Sequence, residues 1–149
     1  MMLLFKKKYF HIIQPDIYIT PNINNVIKKL NKKSVKYQTV CEGYITFKAN
    51  VFKAGLDLMV GLHYKNDKLE FIEIFRPQEY YCAIDYDTEN SYQEISEILS
   101  ELYGNAAITD CPENAIKKFE QWNLKYYGIK HYILNRFDLE ERLVIVFVH

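Results

Sequence analysis

SYQEISEILSELYG, residues 91–104, is the one stretch of the chain in which cap, periodicity and stop agree. Ser91 is placed to cap the first free N–H groups of a helix, and Glu94, three residues on, to bond back to the Ser91 N–H. Tyr92, Ile95, Ile98, Leu99 and Leu102 recur at helical spacing and predict one apolar stripe, with Glu94, Glu97 and Glu101 largely outside it. Gly104 supplies the stop. An amphipathic helix must lay its stripe on a surface, and strand-like segments on both sides in sequence offer one.

Downstream, residues 105–112 read as loop. Residues 113–126 fit two patterns: Ile116, Phe119 and Trp122 suit a helix face, whereas Glu120, Trp122, Leu124 and Tyr126 suit one side of a strand. Residues 129–136 and 143–148 predict strands, with 137–142 as the turn between them. The run LVIVFV is apolar on both sides and predicts a central strand covered on both faces.

Upstream, Asp87-Thr88-Glu89-Asn90 leads into the helix, and Tyr81 to Tyr86 predicts a short strand. Leu56, Leu58, Val60, Leu62 and Tyr64 alternate with Asp57, Met59, Gly61 and His63, a half-buried strand. Lys65-Asn66-Asp67-Lys68 turns it into a return strand with Leu69, Phe71, Glu73 and Phe75 on one side. Segments 35–41 and 44–49 predict two more strands around Glu42-Gly43. Thr20-Pro21 opens a shorter helix striped by Ile23, Val26, Ile27 and Leu30, with Lys28, Lys29, Lys32 and Lys33 toward water. Pro15 and Pro21 bracket a short extended piece, and Leu3 to Ile13 reads as a terminal strand.

These signals predict one domain over 1–149 of the α+β class: a mainly antiparallel sheet with two or three amphipathic helices packed on one face. Helix followed by strands occurs twice, over about 20–86 and 91–149, which outlines two similar halves without an aligned residue pattern.

Net charge is zero but unevenly spread. Residues 1–66 hold 11 Lys and 3 acids, residues 67–113 hold 12 acids against Lys68 and Arg76, and residues 114–149 hold 6 bases and 4 acids. The acidic middle suits a basic protein partner. The basic first third, with Lys6 to Lys8 and Lys28 to Lys36 beside Tyr9 and Tyr37, suits a phosphate backbone less well, because the acidic middle repels it. Cys41, Cys82 and Cys111 are odd in number and widely spaced, the pattern of reduced, buried thiols rather than of a disulfide framework. MMLLFKKKYF places an apolar run ahead of its lysines, the reverse of a signal peptide, and no run reaches membrane-spanning length, so a cytoplasmic protein is expected.

No Gly-rich phosphate loop or dinucleotide fingerprint occurs, and no cofactor is expected. His63 points away from the Leu56/Leu58/Val60/Leu62 side, toward Asp57 or Glu70, and is the candidate for acid–base chemistry in an enzymatic reading. His11, His131 and His149 stand at no ligand-like spacing from it, and His149 reads as an exposed terminal residue. Asp85 and Asp87 share a strand side, but strands beside turns carry acids routinely. The most specific surface feature is the row Glu94, Glu97 and Glu101, joined by Asp85, Asp87 and Glu89: a docking face for a basic protein.

Tyr103-Gly104 at a helix end, a single Trp122 in the next segment and a terminal hairpin closing on Leu143 to Val148 resemble the layout of immunity proteins of bacterial contact-dependent and polymorphic toxin systems. The resemblance covers about the last 60 residues and is one of layout. It implies stoichiometric binding to a cognate toxin domain, often a nuclease, whose substrate phosphates acidic side chains replace. A structural or assembly subunit, marked by a large apolar surface or an exposed sheet edge, is the remaining expectation.

Overall fold

A computed structural model describes residues 9–148. It is α+β. Two short strands come first, β1 (Phe10–Ile12) and β2 (Ile17–Ile19), then α1 (Ile23–Lys32). A meander of four strands follows: β3 (Tyr37–Cys41), β4 (Tyr44–Asn50), β5 (Asp57–Lys65) and β6 (Lys68–Phe75). Next come α2 (Gln78–Tyr81) and α3 (Thr88–Tyr103), and a second meander, β7 (Ile116–Asn123), β8 (Tyr127–Asn135) and β9 (Leu139–Phe147). The meanders join where β6 pairs with β9, giving one antiparallel sheet in the order β3-β4-β5-β6-β9-β8-β7; β1 and β2 pair separately.

Strand alternation sorts the side chains. Ile45, Phe47, Val60, Leu62, Ile72, Ile74, Leu143, Ile145 and Ile129 fall on one face, all buried, and carry the helices. The tight β5–β6 turn works because Asn66 and Asp67 both accept positive φ, 52° and 63°. The ambiguous stretch resolves as strand β7, since Glu120 and Trp122 lie opposite His131 and Ile129 on the covered face.

Several expectations are corrected. The central helix starts three residues before Ser91: Asp87 is its cap, accepting from the Glu89 and Asn90 N–H groups, and Ser91 is buried inside it. Leu102, expected in the stripe, is 50 % exposed, while Tyr92, Ile95, Ile98 and Leu99 are buried. Gly104 does end the helix, at φ 79°. Residues 81–86 are not a strand. Tyr80, Tyr81 and Tyr86 pack edge to face on one another around α2 and a turn, which satisfies their rings without pairing to the sheet. Asn22, rather than Thr20, caps α1, accepting from Asn25 N–H. β9 begins at Leu139, so its turn is shorter than expected, and although the strand is central its second face is open, with Val146 40 % exposed. Cys41 and Cys82 are exposed and Cys111 is half-buried: all three lie at strand ends or in loops. Lys6 to Lys8, His149 and most of the expected terminal strand lie outside the described residues.

Candidate functional site

Nine carboxylates and no Lys, Arg or His occupy residues 77–116. Most of this stretch is α2, α3 and the loops around them. On α3, Glu89, Gln93, Glu97 and Glu101 follow one another at four-residue steps, a row of about 18 Å along the helix. All four are exposed, and Gln93 Nε2 donates to Glu97 at 3.0 Å. Asp85 is exposed in the preceding turn. Two members of the predicted row have partners within the chain instead: Asp87 caps the helix, and Glu94 accepts from Arg76 at 2.6 Å.

Beneath this face the helix is held by a polar network. Arg76, 5 % exposed at the end of β6, donates through Nε to Ser91 Oγ at 2.9 Å, and its guanidinium lies 4.2 Å from the Tyr80 ring centre. Ser91 in turn donates to Glu141 on β9. The pair that sequence reading took for a reciprocal cap thus grips Arg76. Glu141 meets His131 Nε2 at 2.6 Å, and Glu120 on β7 meets His131 Nδ1 at 3.2 Å. Both ring nitrogens face carboxylate oxygens, so the ring is held from both sides. His131 is fully buried, its ring stacked on Tyr92 at 3.9 Å, and Tyr92 donates its hydroxyl to the His131 carbonyl at 3.2 Å. Ser96 donates to Glu120 at 2.6 Å. Burial opposes ionisation of Glu120, yet hydrogen bonds from His131 and Ser96 hold its carboxyl below the usual range. Burial also pushes the Tyr92 hydroxyl upward, with Glu120 adding to the effect. The network therefore couples three strands to α3 through hydrogen-bonded polar groups, the condition under which such groups are tolerated when buried.

Sequence reading passed over His131. The available signal was alternation: Ile129, His131 and Ile133 share a side, as do Glu120 with Trp122 and Glu141 with Leu143. His63 does point to the opposite face, but its partner is Glu73, at 3.1 Å, rather than Asp57 or Glu70. Its ring is stacked between Tyr44 and Phe71, 4.1 Å from each. Asp57 instead accepts from Asn50. The larger clefts lie elsewhere. One of about 350 Å³ beside Glu120 is lined also by Asp110, Cys111, Lys117 and Lys118. Among the described residues no group of three or more His, Cys, Asp and Glu is arranged to hold a metal ion; Glu120 and Glu141 sit at opposite nitrogens of the His131 ring rather than around one point. No helix among the described residues is long and apolar enough to cross a membrane.

The chain matches no family model, no curated protein and no solved structure.

Proposed function

We propose that this chain is a non-enzymatic binding protein whose acidic helix face docks a basic protein, and that its role is to neutralise a toxin domain in the cytoplasm, as in the immunity proteins its layout resembles. The observation that carries the reading is the exposed row Glu89, Glu97 and Glu101, with Asp85, on a helix fastened from below by Arg76, His131 and their carboxylates. A rigid row of negative charge needs little ordering on binding, which spares affinity, and it attracts a cationic surface from a distance. A nuclease is a suitable target, because its phosphate-binding residues are cations that carboxylates can occupy.

The test begins with recovery of the tagged protein from its host and identification of a basic partner held in equal amount. The purified partner is then titrated with wild-type protein and with the triple variant Glu89→Lys, Glu97→Lys, Glu101→Lys. The expected results are stoichiometric loss of the partner's activity with wild type, and binding weakened on the order of 100-fold or more by the variant. Unchanged affinity in a correctly folded variant rules out this face as the docking site.

A further inference from the structure

The face of the sheet opposite α1 and α3 is bordered by α2, whose Glu79 reaches Lys48, and it mixes apolar with polar side chains rather than being the polar surface an antiparallel sheet usually turns to water. Tyr44, Phe71, Phe75, Val144, Val146 and Tyr132 lie on it. Val146, near the end of β9, is 40 % exposed beside Phe71 on one strand and Gly128 on the other, which has no side chain to cover it. Gly61 keeps the surface low on the other half: a Cβ there would stand 3.0 Å from the Tyr44 ring, which leans over it.

The charges on this face are of a different kind from those on the helices. Lys48 pairs with Glu79 of α2 and has Asp57 on the same side of the neighbouring strand, Arg142 pairs with Glu140 and Glu73, and Lys130 stands on the outer half, so three cations are interspersed with four carboxylates. A face of interspersed signs gains little from a strongly charged partner, nucleic acid included, whereas a two-fold axis can set its cations against the carboxylates of a second copy. Its size fits as well. Seven strands about 4.8 Å apart and about 25 Å long span roughly 700 Å², close to the ~800 Å² that each partner contributes to a standard stable interface.

We propose that this open sheet face is a homodimer interface in which a second copy of the chain packs sheet on sheet. The two sheets would stack about 10 Å apart, leaving both α3 helices on the outside.

Sedimentation velocity and light scattering of the full chain test this directly. The expected mass is twice 17.8 kDa at micromolar concentration. Val146→Glu is expected to weaken association at least tenfold with an unchanged circular dichroism spectrum. Arg142→Glu, which removes one of the three cations at a 41 % exposed position, is expected to act in the same direction, whereas Glu97→Lys on α3 leaves the mass unchanged. A wild-type mass of 17.8 kDa up to about 200 µM overturns the proposal. So does a dimer that survives both face substitutions, or one that is dispersed by Glu97→Lys.

Discussion

His63 and His131 are built from the same parts and do different work. Each sits mid-strand, each ring stacks on aromatic neighbours near 4 Å, and each faces carboxylate oxygen. His63 lies on the open face at 24 % exposure with one carboxylate, and water can replace much of what a lost contact supplied. His131 lies under α3 at 0 % exposure with two carboxylates, and nothing can replace it. The same group is thus a modest surface contact in one half of the sheet and the centre of an ion network in the other. Solvent access, rather than the list of neighbours, sets the difference.

The largest effect is expected from His131→Ala. Removing the ring leaves Glu120 and Glu141 facing each other across the space it filled, and breaking a buried ionic arrangement in this way costs about 3–5 kcal/mol. Urea denaturation followed by circular dichroism measures it; a loss under about 1 kcal/mol would mean that the network does not fasten α3.

Acid provides a finer test of the same site. Because Glu120 titrates lower folded than unfolded, it contributes stability above the ordinary carboxylate value of 4.5, and that contribution is lost as pH falls through the folded value. Glu120→Gln is therefore expected to flatten the rise of stability with pH between about pH 3 and about pH 5. An acid limb as steep as that of wild type would break the link between Glu120 and the network.

The smallest effect belongs to the other histidine. His63→Ala is expected to cost about 1 kcal/mol or less, since water reaches its partly exposed carboxylate contact and ring neighbours. A cost matching that of His131→Ala in the same denaturation experiment would erase the contrast.

The contrast also explains how far the residues could be read in advance. The stripe Tyr92, Ile95, Ile98 and Leu99 was legible because helical period is a property of neighbours in sequence, and the β5–β6 hairpin was legible for the same reason. The start of α3 was not, because Asp87 and Ser91 are both good caps and only tertiary contact decides between them. Ser91 is more useful inside, where it bridges Arg76 and Glu141, 15 residues back and 50 residues on. His131 was missed on similar grounds: its carboxylates come from two other strands, and no local spacing announces them. The acidic row was legible as charge, but which members are already engaged by Arg76 or by the helix end was visible only in three dimensions.

Trp122 gives the molecule a built-in optical gauge. It is the sole tryptophan, 2 % exposed, and its indole N–H donates to the Gly104 carbonyl at 2.9 Å, where α3 ends. Lifting that end of the helix from the sheet breaks this bond and wets the indole, so emission moves to the red without any label. Intrinsic fluorescence therefore times the release of α3, whether urea, acid or a bound partner drives it, and separates that event from loss of the far half of the sheet, which holds no tryptophan.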